Sequence, residues 1–156
     1  MEIQQILGYL LNTSSKLIKR TMDNNLNEYN ITTSQWAVLK LLDTKIQLTQ
    51  TQIAKELLGD KATAGDIILR LYEKNYVEKS IDKNDKRMYV VSLTPKAKNL
   101  INDMEKKAIE VTNKALEGLD YNDIQILNKS LNQIINNLSK EGQIWLGAKK
   151  YLEHYY

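Results

Sequence analysis

Few side chains in this 156-residue sequence are suited to making or breaking bonds. It has no Cys, which excludes disulfides, thiolate metal sites, cysteine nucleophiles and thiol redox sensing. It has one His, His154, so a multi-histidine metal site and a Ser/His/Asp triad both lack their parts. Carboxylates do pair in sequence, as at Asp82 and Asp85, but in a run of polar residues. General acid/base work needs an apolar pocket that separates two pKa values, and Asp82-Lys83-Asn84-Asp85-Lys86-Arg87 offers none. No glycine-rich phosphate loop is present. The chemistry left is recognition by charge and hydrogen bonding. The expectation is a binding protein that is not an enzyme and needs neither cofactor nor metal.

The cations suited to recognition cluster in the middle of the chain. Residues 45–98 carry 11 Lys and Arg against 7 Asp and Glu, a net of +4, while the remainder carries 11 against 12. The total of +3 is too small to establish a nucleic-acid partner, but its placement fits a central cationic module between neutral flanks.

The elements that must position those cations read mostly as helices. One Pro and six Gly over this length predict long helices with short connections. Ile3, Ile6, Leu7, Leu10, Leu17, Ile18, Met22, Leu26 and Tyr29 keep a three-and-four spacing, predicting a helix over 3–29. Thr32-x-x-Gln35 and Thr49-x-x-Gln52 are capping boxes that open two more helices. Gly59 breaks the second of these, and Asp60 caps a fourth helix with Ala64, Ile67, Ile68 and Leu71 on one face. Asn75 is its left-handed stop. Val77–Ile81 alternates as a half-buried strand does, and Met88–Leu93 is rich in β-formers, so the charged run between them is a hairpin tip. Thr94-Pro95 restarts helix, and Ala97, Ile101, Met104, Ala108, Val111 and Ala115 form a heptad seam. Gly118 ends it. Asp120 caps the next helix, where Ile124, Leu127, Leu131, Ile134 and Leu138 repeat the seam. Trp145, Tyr151, Tyr155 and Tyr156 lie in a tail over 142–156, where Lys149, Lys150 and His154 are interleaved.

A short helix, a turn, a second helix and a hairpin make a winged helix-turn-helix. The fold class is mainly α with a small β-hairpin wing, flanked by N- and C-terminal helices. The major groove of B-DNA admits one α-helix, and the helix over 60–74 leaves Lys61, Thr63, Gly65, Asp66 and Arg70 pointing outward. Lys61 and Arg70 suit phosphate or guanine, and Thr63 suits a thymine methyl or a phosphate. An amphipathic helix with a merely solvated face satisfies the same pattern.

Four stretches tip this balance: Leu48-Thr49-Gln50-Thr51-Gln52-Ile53-Ala54, Leu71-Tyr72-Glu73-Lys74-Asn75-Tyr76-Val77, Asp82–Arg87 and Leu93-Thr94-Pro95-Lys96-Ala97. In order and spacing the sequence resembles the multiple-antibiotic-resistance regulator (MarR) family over about residues 31–140. The resemblance implies one unit over 1–156, with a winged DNA-binding part over 32–98 and dimerisation helices over 1–30 and 99–156. It implies a homodimer on a pseudo-palindromic duplex, and a regulator, by default a repressor released by a small aromatic effector. It implies that Arg87 enters the minor groove and that Asp85 orients it, in keeping with the negative potential of a narrow A·T-rich groove. Lys83 and Lys86 would touch phosphates, with Thr49 and Gln50 completing the DNA-binding set. Arg20, Met22, Tyr29 and Trp36 lie where an effector crevice is expected, although Trp36 reads first as a core residue.

Three departures stand out. Asn75 and Ala97 replace family glycines, and Asn tolerates left-handed dihedrals. Asp66 stands where basic or polar residues are common, and a carboxylate there is repelled by phosphates unless it accepts from cytosine or pairs with Arg70. Asp66 and the modest charge leave open a second reading, a winged-helix module that docks a protein partner. The sequence has no run of ~18 apolar residues and no apparent signal peptide at its start, so the cytoplasm is expected.

Overall fold

The computed structural model describes residues 3–57 and 59–139, side chains 3–5 excepted. The expectations for the aromatic tail over 142–156 lie outside the described residues. These residues divide into two compact units, with the boundary between Ala115 and Leu116.

The first unit opens with α1 (Ile3–Leu26), followed by a single 3-10 turn over Asn27–Tyr29. The helix expected over 3–29 therefore changes character in its last turn, where Asn30 adopts a left-handed φ of 54° and donates back to the Asn27 carbonyl. Next come α2 (Thr33–Lys45), β1 (Gln47–Leu48), α3 (Gln50–Glu56), α4 (Lys61–Glu73), β2 (Val77–Ile81), β3 (Tyr89–Leu93) and α5 (Pro95–Ala115).

The capping residues expected from sequence take their places. Thr32 accepts from the Gln35 amide at 3.3 Å while the Gln35 side chain accepts from Thr32 N at 3.1 Å. Thr49 and Gln52 make the same reciprocal pair. Asn75 has φ 59°, and α4 ends in a Schellman motif: Tyr76 N donates to the Leu71 carbonyl and Asn75 N to Tyr72, each at 2.9 Å. Asn fills this position because its short polar side chain tolerates the left-handed region.

The sheet is antiparallel, in the order β1-β3-β2. Val77 faces Leu93 and Ile81 faces Tyr89, so the wing's two long strands pair along their whole length. Met88, expected inside the second strand, lies one residue before it, because its N–H closes the tip on the Asp85 carbonyl. β1 was not expected. Two residues are too few to show alternation, and this strand exists because Gln47 and Leu48 find Ser92 and Val91 beside them.

One core runs through the unit. Leu26 of α1, Val38, Leu39 and Leu42 of α2, Ile53 of α3, Ile68 and Leu71 of α4, Val77 of β2 and Met104 of α5 are almost wholly buried together. Ala97, Ile101, Met104, Ala108 and Val111 of the heptad seam are buried, and Ala115 is exposed. The core thus crosses both 30–32 and 98–99, the limits expected for the winged part. Lys40 of α2 also pairs with Glu105 of α5 at 2.6 Å.

The second unit contains α6 (Tyr121–Leu138), capped by Asp120 through a reciprocal box with Asp123. Its expected seam forms as helix, yet no residue of α6 is buried in the single chain, and Leu138 is 78% exposed.

Candidate nucleic-acid interface

The site is built on α3, α4 and the wing. Asp60 caps α4 by accepting from Thr63 N at 2.8 Å and from the Thr63 hydroxyl at 2.6 Å. Those two bonds, the hydroxyl's first, hold its carboxyl below the usual carboxylate range. Ala64, Ile68 and Leu71 are buried and Ile67 is half-buried, so the opposite face carries Lys61, Thr63, Asp66 and Arg70 exposed. The hydroxyl proton of Thr63 is committed to Asp60. Asp66 and Arg70 share this face and form no ion pair among the described residues.

The angle between α3 and α4 is set by a local interlock. The Gln50 amide reaches from the first turn of α3 to donate to the Lys61 carbonyl at 2.7 Å. It passes over Gly65, which is half-buried. Gln50, expected among the DNA-contacting residues, commits one of its two amide N–H groups to the protein's own backbone.

The wing tip is held by its own aspartates. Asp82 accepts from Asn84 N at 2.8 Å and from Asp85 N at 2.9 Å, an Asx turn that shapes the loop. Asp85 then grips Arg87 in a fork: Nε to Oδ1 at 3.1 Å and Nη2 to Oδ2 at 3.2 Å, with the Arg87 backbone N–H also on Oδ1 at 3.0 Å. The Arg87 side-chain bonds, and then its backbone bond, hold the Asp85 carboxyl below its usual range. Arg87 remains 90% exposed, so a charged guanidinium is aimed outward with its rotamers limited. Lys83 and Lys86 are exposed on the same tip.

Between α3, α4 and the wing lies an open concavity of about 530 Å³. Thr49, Gln50 and Lys61 line one wall and Arg87, Met88 and Tyr89 the other, with Ile68 and Val91 as the floor. Four of the expected residues, Thr49, Gln50, Lys61 and Arg87, are thus brought to one cleft. Thr51, Lys79 and Tyr89 join them and were not anticipated. The signal for Lys79 was present: it lies two residues from the buried Val77 on an alternating strand, hence on the face turned toward α4, where its ammonium sits 5.6 Å from the Tyr72 ring centre.

The four residues expected around an effector differ in burial. Met22 and Trp36 belong to the core at 8% and 7% exposure, Tyr29 is half-buried, and Arg20 is exposed. A smaller polar concavity of about 240 Å³ lies nearby, lined by Asp23, Asn24, Asn27, Asn30, Ile31, Thr32 and Lys74. No group of three His, Asp or Glu side chains able to hold a metal occurs among the described residues. No described helix is long and apolar enough to cross a membrane.

Two helices joined by a short turn, a three-stranded sheet and an extended wing define a winged helix-turn-helix protein. Residues 31–89 match the model of the MarR family. The chain is 26% identical over 132 residues to the HTH-type transcriptional regulator SarZ of Staphylococcus aureus, covering 85% of this chain and 83% of SarZ. The fold is shared with a mutant MarR from E. coli complexed with operator DNA, at a TM-score of 0.78, 22% identity and coverage of 83% and 93% of the two chains. It is also shared with BpsR of Bordetella bronchiseptica, at a TM-score of 0.74, 23% identity and coverage of 82% and 97%.

Proposed function

We propose that this protein is a DNA-binding transcriptional regulator that acts as a homodimer, by default a repressor, in the cytoplasm. One observation carries the reading: Lys61 at the start of α4 and the guanidinium of Arg87, held by Asp85, line one cleft between α4 and the wing, and α4 carries Thr63, Asp66 and Arg70 exposed beyond it. A helix for the major groove and a cation for the neighbouring minor groove are the two parts such recognition needs, and a phosphate backbone runs between those grooves. Lys61, Thr63, Asp66 and Arg70 face the bases or the groove walls; Lys83 and Lys86 neutralise phosphate beside Arg87. The E. coli relative was solved with operator DNA, which supports the same use of the shared fold.

The dimer follows from what a single chain leaves uncovered. In α1, Leu7, Leu10, Leu17 and Ile18 are each 44–53% exposed, and α6 buries nothing. A second copy related by a two-fold axis covers such faces and sets two α4 helices about 34 Å apart, one turn of duplex. DNA binding by BpsR is regulated by 6-hydroxynicotinic acid, which favours a small aromatic effector as the input here. Around α1 and α2, Arg20 and Tyr29 are the accessible members of the expected effector set.

A mobility-shift titration tests the reading. Affinity is expected to fall steeply as salt rises, because each phosphate neutralised releases counterions. The second reading, a module that docks a protein, is favoured by the unpaired carboxylate of Asp66 on the exposed face of α4. The absence of any shift at low salt, with promoter fragments and random duplex alike, would decide for it.

A further inference from the structure

We propose that Asp66 specifies a base, its carboxylate selecting a cytosine in each half-site of the bound duplex. The inference rests on the DNA-binding reading above and adds to it the identity of a recognised base pair. Asp66 lies in the middle of the outward face of α4, three residues after Thr63 and four before Arg70, and is exposed.

Its situation differs from that of the other three aspartates between residues 60 and 85. Asp60 is occupied by Thr63, Asp82 by the backbone of the wing tip, and Asp85 by Arg87. Asp66 has no hydrogen bond or ion pair among the described residues, even though Arg70 stands one turn away. A charge with no structural task, on the surface that meets a polyanion, weakens binding unless the partner offers it a donor.

A carboxylate only accepts hydrogen bonds, so phosphate oxygens, guanine N7 and O6, and thymine O4 all repel it. The major-groove edge offers two donors, cytosine N4 and adenine N6. Adenine places the N7 acceptor beside its donor, where the second carboxylate oxygen meets it. Cytosine carries no acceptor on that edge and is the base left. Arg70, on the same face, is suited to a guanine, whose two acceptors match a guanidinium.

The isosteric variant gives the sharpest test. An amide at this position has one donor and one acceptor, which match adenine N7 and N6. Selection from a random duplex pool is therefore run with the full-length wild type, Asp66→Asn and Asp66→Ala, each checked by circular dichroism for unchanged helix content. The wild type is expected to return cytosine at one symmetric pair of positions, with a loss of roughly 5- to 150-fold when that base is replaced. Asp66→Asn moves the preference there to adenine. Asp66→Ala abolishes it, while affinity for unrelated duplex holds or rises, since a negative charge has been removed. Identical selected sequences from all three proteins overturn the inference and leave DNA binding standing. A wild type that binds no duplex at any salt concentration overturns both.

Discussion

The side-chain amide of Gln50 occupies the space that a side chain on Gly65 would need. Its Nε2 lies 2.6 Å from the position of a Cβ built on Gly65, while it donates to the Lys61 carbonyl at 2.7 Å. Gly65 has helical dihedrals and no need of glycine's conformational freedom; its lack of a side chain is what leaves room for the Gln50 amide on the Lys61 carbonyl.

Gly65→Ala therefore sets two effects of similar size against each other. Alanine gains about 1 kcal/mol of helix propensity, and displacing the Gln50 amide forfeits a hydrogen bond worth about 1 kcal/mol net. Thermal unfolding is expected to shift little, while duplex affinity falls because α4 is re-aimed. A double-mutant cycle with Gln50→Ala should show coupling of about 0.5–3 kcal/mol in binding. Strict additivity would mean that the amide's position is incidental.

Arg87→Ala should leave the melting temperature unchanged, since the side chain is 90% exposed and surface ion pairs contribute about 0–1 kcal/mol. Duplex affinity should fall about tenfold, roughly 1.4 kcal/mol, chiefly on sites with A·T-rich flanks. Arg87→Lys should recover only part of it, because an ammonium cannot take the two-point grip of Asp85. Full recovery by lysine would argue against a role for the fork.

The Asp85 carboxyl should titrate below its ordinary value of 3.8. A depressed folded value means that the fork's contribution is complete above the unfolded value and is lost as pH falls through the folded one. Arg87 is consequently held throughout the neutral range and released only in acid. Carboxyl carbon shifts followed by NMR against pH should give a midpoint under 3.8, moving up toward it in Arg87→Ala; an unchanged midpoint in that variant would contradict the assignment.

Leu10→Asp places a charge on the exposed apolar face of α1, where Leu10 is 53% exposed in the single chain. Light scattering after gel filtration should give twice the chain mass for the wild type and a lower mass for the variant. A charge buried in an interface without a partner costs several kcal/mol. Duplex affinity should fall with the loss of the second half-site. A wild type that runs as a monomer at micromolar concentration would remove the basis for paired grooves.

Met104→Ala tests whether α5 belongs to the same core as the winged module. Met104 is fully buried, so truncation should cost about 2–5 kcal/mol. Because the core is continuous, α3 and α4 should lose protection from hydrogen exchange together with α5. Loss confined to α5 would indicate a separately folding part.

Much of the helical framework was legible because its signals are local. Thr32, Thr49, Asp60 and Asp120 cap helices using bonds that span three residues, and Asn75 stops α4 through its own dihedral preference, so short stretches of chain sufficed to read them. The Asp85–Arg87 fork was legible for the same reason, since two residues of separation in a tight turn hold both groups together. The effector set has no such local signal. Whether Met22 and Trp36 line a crevice or fill a core depends on which helices pack over them, and the fold placed both inside.

By itself, then, the sequence determined the helices, the wing, the outward face of α4 and the grip on Arg87, all of which follow from periodicity and contacts within a few residues. Tertiary structure alone decided that Gln47 and Leu48 become a third strand, that Lys79 and Tyr89 share a cleft with Lys61, and that Gln50 donates to the Lys61 carbonyl. Each of these needs groups between 11 and 45 residues apart in the chain to meet, and such meetings depend on how whole elements pack; no periodicity records them.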